Sequence, residues 1–277
     1  MITLIAVLFV SMAAGEDQVR AAEAAKSFEE ANALFAKRED EKALDAFDRA
    51  IAADPTRPEF HVGRGRTLAR LRRFDQALAA YGEAIRLAPE AWEGYRFRGH
   101  AYINTRKIDL ALADLTRAEA LKKDDWNVYY HLALAWYLNG DFDKAAAAYE
   151  ACYRLSTTDD ERVAASAWLY PALWRAGRKA DAQSVLDRIT PSLVVKENVS
   201  YLDRLLLFKG VKKEQEVASA MTANPLNLPT VGYGVGLWHL LNDRPDQARE
   251  YFQKATSGDY WPAFGHVASE IELKRMK

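Results

Sequence analysis

Residues 74–84, Phe74-Asp75-Gln76-Ala77-Leu78-Ala79-Ala80-Tyr81-Gly82-Glu83-Ala84, decide how this chain is read. Ala77, Tyr81 and Ala84 are spaced i, i+4, i+7, which puts them on one face of a helix. A small, large, small face lets a second helix approach closely while the ring fills the gap. The same triplet recurs at Ala43, Phe47, Ala50; at Ala111, Leu115, Ala118; and at Ala145, Tyr149, Cys152. The leading alanines fall at steps of 34 (77−43, 111−77, 145−111). A period of this length marks an array of supersecondary units, each burying its apolar face against the next.

A matching helix precedes each triplet. Its face reads Ser27, Ala31, Leu34; then His61, Gly65, Leu68; then Tyr95, Gly99, Tyr102; then Tyr129, Ala133, Trp136. The middle residue is always small. A glycine inside a helix costs about 1 kcal/mol relative to alanine, so Gly65 and Gly99 are expected to serve close packing. Pro55 and Pro89 close the second helices of the first two units.

These residues resemble the tetratricopeptide repeat family: a small residue in the first helix, an alanine–aromatic–alanine face in the second, and a closing proline. Four regular units lie within residues 16–157, starting near Ala24, Pro58, Trp92 and Trp126. The resemblance implies an all-α fold, an α-solenoid of about seven stacked helix pairs. It also implies a concave groove lined by the first helices, which takes a protein or a peptide.

From 158 to 260 the pattern degrades into three degenerate units. Gly140, Gly177 and Gly210 mark turns between paired helices. Pro171 falls inside a first helix and is expected to kink it. Gln215 stands where an alanine is due, and Ala248, Phe252 and Ala255 restore the face. Pro225 and Pro229 suggest a loop before that seventh unit. Residues 261–277 read as a C-terminal capping helix, with Trp261, Phe264, Val267 and Ile271 inward and Glu270, Glu272, Lys274 and Arg275 toward water.

Residues 1–15 stand apart. Ile2–Gly15 is an uncharged apolar run with small residues at its end. It is shorter than the roughly 20 residues of a spanning helix and fits a cleaved export signal. The expected location is secreted or periplasmic, or cytoplasmic if the start codon is misassigned.

Composition narrows the chemistry. The chain has 277 residues, with 38 basic against 39 acidic residues and a net charge of −1, so it lacks the basic excess of a nucleic-acid binder. The single cysteine, Cys152, occupies an alanine position and is expected to be a buried filler. Its solitude excludes an intramolecular disulfide and a cysteine-rich zinc site. The five histidines include no i, i+4 pair, so neither a metal nor a cofactor is expected. Asn198-Val199-Ser200 matches a glycosylation acceptor.

Turning each first helix by about 100° from its partner-facing residues selects the candidate groove: Asn32, Arg66, Arg96, His100, Tyr130, Tyr137 and Trp174. The Arg–His group suits a carboxylate or acidic segment through charge-assisted hydrogen bonds, and the aromatic group suits apolar anchors. Arg64, Arg66, Arg70, Arg72 and Arg73 crowd one helix end, read either as an anion patch or as solvated cations favoured by the helix dipole. The family's clamp for chaperone C-terminal carboxylates is incomplete here: Phe28 stands where it places a lysine, and Gly63 where it places an asparagine.

The expectation is therefore a non-enzymatic scaffold for protein or peptide partners, acidic or carrying a free carboxylate, within an exported or envelope-associated complex. Two alternatives remain open. One is a catalytic or enzyme-associated pocket in the irregular region 196–230. The other is a homo-oligomer formed through Leu205, Leu207 and Phe208.

Overall fold

The computed structural model describes the backbone of residues 2–277 and the side chains of residues 18–277. The expected leader, 1–15, lies outside the residues whose side chains are described. Among the described residues the fold is all-α. The helices are α1 (Ile2–Ala36), α2 (Asp40–Ala53), α3 (Pro58–Arg70), α4 (Phe74–Leu87), α5 (Trp92–Asn104), α6 (Ile108–Leu121), α7 (Trp126–Asn139), α8 (Phe142–Leu155), α9 (Asp159–Arg175), α10 (Lys179–Asp187), α11 (Val199–Phe208), α12 (Glu214–Ala218), α13 (Asn227–Leu241), α14 (Pro245–Ala255) and α15 (Phe264–Arg275). A 3₁₀ turn, Ser219–Thr222, continues α12. Within each compact unit consecutive helices pair as the solenoid class requires (α1 with α2, α3 with α4, α7 with α8, α9 with α10, α11 with α12, α13 with α14), and α15 follows the last pair. No described helix is long and apolar enough to cross a membrane.

One turn chemistry recurs between the two helices of every pair. Glu39, Arg73, Lys107, Asp141, Arg178, Val211 and Arg244 each donate a backbone N–H to the carbonyl five residues earlier, closing a Schellman turn. The residue just before each donor is left-handed: Arg38, Arg72, Arg106, Gly140, Gly177, Gly210 and Asp243. The turn therefore persists through the sixth unit, where the alanine pattern fails. Arginine in this conformation costs roughly 1–2 kcal/mol that glycine avoids.

The chain divides into two compact units, residues 1–101 and 102–277. In the first unit, the Gly65 site faces the Tyr81 ring so closely that a Cβ there would lie 2.5 Å from it. Side-chain packing of this kind, and not backbone freedom, is why glycine is retained inside α3. Ala43, Phe47, Ala50, Ala77, Tyr81 and Ala84 are all buried, as their spacing predicts.

The second unit departs from the regular repeat and compensates at long range. Pro171 lies within α9, which continues through it to Arg175. Proline has no N–H, so the Ala167 carbonyl loses its partner four residues on. Arg204 from α11 supplies the missing donor: its Nη2 reaches Ala167 O at 2.5 Å. Arg204 is only 2% exposed and otherwise lies against rings, with Trp168 and Tyr201 both at 4.9 Å. Gly234 makes room for it, since a Cβ there would lie 2.7 Å from Arg204 Cδ.

Two expectations are corrected here. Pro229 does not lie in a loop before the seventh unit, because α13 begins at Asn227 and takes Pro229 into its first turn, where a missing N–H costs little. Leu205 and Leu207 are buried and Phe208 stacks on Tyr170 at 4.9 Å, so the leucines offer no oligomerisation surface. Cys152 is buried as expected, and burial pushes its thiol pKa well up.

Candidate functional site

In the first unit, the structure separates the five crowded arginines. Arg64 pairs with Asp48 at 2.6 Å, Arg73 makes a two-pronged bond to Glu41, and Arg70 is bonded to Asp40 and to the Phe35 carbonyl. Arg72 holds a left-handed turn position. Arg66 is different: it is exposed, and among the described residues no carboxylate pairs with it. Its guanidinium lies between two rings, 4.8 Å from the Phe35 centroid and 5.0 Å from that of Phe97. Burial against those rings lowers its pKa, with the Arg70 cation adding to the effect.

Each ring carries a second cation: Arg70 stands 3.6 Å from the Phe35 centroid, and Arg96 stands 4.2 Å from that of Phe97. Arg66 of α3 and Arg96 of α5 thus share the Phe97 ring, and Arg66 also meets Phe35 of α1. Cation–π contacts of this type contribute roughly 0.5–1 kcal/mol at exposed sites; they fix the guanidinium without neutralising it. Asn32 lies exposed on α1. His100 is half-buried, and desolvation together with Arg96 holds its imidazole down to about 3. At neutral pH it therefore offers a hydrogen bond and no charge. The sequence phase did not select Phe97, the ring that Arg66 and Arg96 share.

In the second unit, two of the three aromatic candidates are not on a free face. Tyr130 is 6% exposed and Tyr137 is 0% exposed. This corrects their assignment as contact residues. Their phase on α7 is as expected, but other helices cover them: Tyr130 lies beside Phe264 of α15, and Tyr137 is enclosed by Trp168 and Arg175 of α9 and Tyr233 of α13. The Phe264 ring stands 6.4 Å from Tyr130 and 5.8 Å from His131. The Tyr137 hydroxyl accepts from the Tyr233 hydroxyl at 2.9 Å and from Arg175 at 3.4 Å. Trp174 remains half-buried, beside Tyr170 at 5.9 Å, with the Lys179 ammonium 4.8 Å from its ring.

Glu270 and Glu272, expected in water, are also corrected. Glu272 is 2% exposed and receives Arg175 at 2.5 Å and Arg275 at 2.9 Å. Burial works against the Arg175 charge, but Tyr137 and Glu272 outweigh it and raise the guanidinium pKa. Glu270 takes Arg106 at 2.8 Å and His266 at 3.1 Å.

In the irregular region 196–230, the backbone is pinned and not open at its start. Asp160 accepts the N–H groups of Lys196, Glu197 and Asn198, and the Asn198 side-chain amide also bonds Asp160. An open polar depression of about 530 Å³ lies elsewhere, at the α7–α8 turn, lined by Asn139, Asp141, Asp143 and Arg175 among others. Among the described residues, no cluster of His, Cys, Asp and Glu is arranged to hold a metal ion.

Two family models of the tetratricopeptide repeat match the chain, over residues 58–91 and 98–160. No curated protein sequence matches it. Among solved structures, the MamA protein is similar at 20% identity and a TM-score of 0.52, covering 68% of this chain and 94% of that one. MamA from Desulfovibrio magneticus RS-1, from residue 41 to its end, is similar at 19% identity and a TM-score of 0.53, covering 60% and 92%. The Cut9–Hcn1 hetero-tetramer of the APC/C gives 19% identity and a TM-score of 0.58, covering 92% of this chain and 42% of that one. At such identities the likeness is one of fold.

Proposed function

We propose, for a chain that belongs to the tetratricopeptide repeat proteins, that it is a binding scaffold whose first unit takes an acidic protein segment or a free carboxylate at Arg66 and Arg96. The family and fold are those of protein–protein interaction scaffolds. The observation that carries the finer reading is the contrast among the arginines. Arg64, Arg70 and Arg73 each have an acid, whereas Arg66 is exposed, held between two rings and without one. A carboxylate arriving there gains a charge-assisted bond from a guanidinium already held in place. Asn32 and the neutral His100 add hydrogen-bonding capacity on the same helices, and Trp174 is proposed as a separate apolar contact in the second unit.

The test is fluorescence anisotropy with an acidic peptide ending in a free carboxylate and with its amidated, uncharged counterpart. The acidic peptide is expected to bind with a salt-sensitive affinity that Arg66→Glu with Arg96→Glu abolishes. Unchanged binding by that double variant sinks the assignment.

We further propose that the chain is exported and works in an envelope-associated assembly. Support comes from the uncharged run Ile2–Gly15. N-terminal sequencing of the protein from its native host tests this, and a retained Met1 with a cytoplasmic location argues against it.

A further inference from the structure

Arg204 is 2% exposed, and among the described residues no carboxylate pairs with it. An arginine does not shed its proton inside a protein, so the positive charge stays in the core. Nη2 is bonded to the Ala167 carbonyl. Nε and Nη1 are buried and have no partner among the described residues. The Trp168, Tyr201 and Tyr233 rings lie 4.9, 4.9 and 5.9 Å from the guanidinium carbon. Ring faces attract a cation, yet they carry no net charge and leave the Nε and Nη1 donors unbonded. A buried ion without a counter-charge is what native interiors avoid.

The groups around it do not supply that charge. Burial raises the hydroxyl pKa of Tyr130, Tyr149 and Tyr233 and the thiol pKa of Cys152, so all four are neutral at pH 7. Arg204 pulls the first two down without reversing the shift, which puts both phenols within its field. Glu272, the buried acid of this unit, is already taken by Arg175 and Arg275. The Tyr149 hydroxyl and Trp168 Nε1 are two more buried groups without a partner among the described residues, and both can donate to an anion. The Tyr149 ring stands 5.9 Å from that of Tyr130. Unpaired donors from α8, α9 and α11 thus collect around one cation. Trp168 and Tyr233 are fully buried and Tyr201 is half-buried, so solvent lies nearest on the Tyr201 side.

We propose that Arg204, with the indole and hydroxyl donors around it, forms an internal site for a small monovalent anion, of halide or formate size. One positive charge is there to be matched, and a second negative charge in the same enclosure would again be unpaired. Size is limited by the three rings and by the close fit of the arginine stem against Gly234. The anion enters past Tyr201 and accepts from Nε or Nη1. The site is separate from the Arg66–Arg96 surface and does not depend on it.

The test is urea unfolding of the full chain in sodium chloride, sodium formate and sodium gluconate at equal ionic strength, gluconate being the anion too large for the enclosure. The Pro171→Ala chain, whose Ala167 carbonyl regains a helical donor, and the Pro171→Ala, Arg204→Met chain are measured alongside. At about ten times its dissociation constant, a fitting anion should raise the folding equilibrium constant of the unaltered and Pro171→Ala chains about tenfold over gluconate. The chain that also carries Arg204→Met should show no gain. A gain with chloride alone supports a halide site, and one with formate alone supports a site for small carboxylates. No gain with either anion overturns the proposal, as does an equal gain in the chain lacking Arg204. Should that double variant not fold, bromide-soaked crystals of the unaltered chain decide. Bromide within hydrogen-bond distance of Arg204 Nε or Nη1 supports the site, and no bromide there overturns it.

Discussion

The two units treat the same first-helix face in opposite ways. In residues 1–101 the face keeps Asn32 and Arg66 exposed, and the interactions around it are mostly between neighbouring pairs. In residues 102–277 the equivalent phase on α7 is enclosed by distant residues: Tyr130 by Phe264 of α15, and Tyr137 by Trp168 of α9 and Tyr233 of α13. The regular unit repeats one solution. The irregular unit breaks the rule at Pro171, at Gln215 and at its C-terminal helix, and meets two of these breaks with a distant arginine. Arg204 replaces a donor that Pro171 removed, and Arg175 neutralises an acid that α15 buried. Irregularity is thus tolerated where a long-range partner exists.

The largest effect is expected at that last contact. Arg175→Ala leaves Glu272 buried with Arg275 alone, and breaking a buried pair in this way costs about 3 kcal/mol. Urea unfolding measures it, and a loss below about 1 kcal/mol, the worth of an exposed pair, would show that α15 is only loosely seated. Arg204→Met comes next. In the native background it should cost about 2 kcal/mol, because the Ala167 carbonyl is left buried and unbonded. In a Pro171→Ala background the helix regains its own N–H, and the cost should fall close to zero. Additive losses in this double-mutant cycle would refute the compensation.

A pH titration sharpens the contrast within the second unit. Burial raises the Asp160 pKa, but the three backbone N–H groups outweigh it, so the folded-state value lies below the ordinary one of about 3.9. A depressed carboxylate stabilises fully above the unfolded value, and its contribution is lost as pH falls through the folded value. The amides of Lys196, Glu197 and Asn198 should therefore stay protected at pH 5 and lose protection below about pH 4. Asp160→Asn should weaken that protection at both pH values.

The regular unit should respond weakly and locally. Arg38 is exposed and left-handed at φ 61°. Arg38→Gly should therefore stabilise the chain by about 0.5–1 kcal/mol, visible as a small rise in Tm. Comparable in size is Arg66→Ala, which removes contacts to the half-buried Phe35 and Phe97 rings and should cost about 1 kcal/mol. A loss above about 2 kcal/mol would mean that Arg66 holds the fold together and is not free for a ligand.

Much of this was legible from residue spacing. The helix pairs, the buried alanine–aromatic faces and the role of Gly65 follow from contacts between helices adjacent in sequence, and a 3.6-residue period records which side of each helix meets its neighbour. The same phase correctly put Arg66 on an exposed face. It also put Tyr130 and Tyr137 on a face that would have been exposed if the chain had ended its packing there. What spacing does not record is a partner supplied from far away. Glu272 reads as a surface acid in a short polar helix, and only the convergence of Arg175 and Arg275 permits its burial. Arg204 reads as a surface cation between leucines, and only the carbonyl orphaned by Pro171 explains its place inside.

The sequence by itself determined the all-α repeat architecture, its turn positions and the phase of each helix, because these depend on local geometry repeated at a fixed interval. The tertiary structure alone decided which first-helix faces stay open. Among the described residues it left Arg66 without an acid, and it enclosed Tyr130 and Tyr137 with Phe264, Trp168 and Tyr233, because occupancy of a face depends on long-range contacts that no local period encodes.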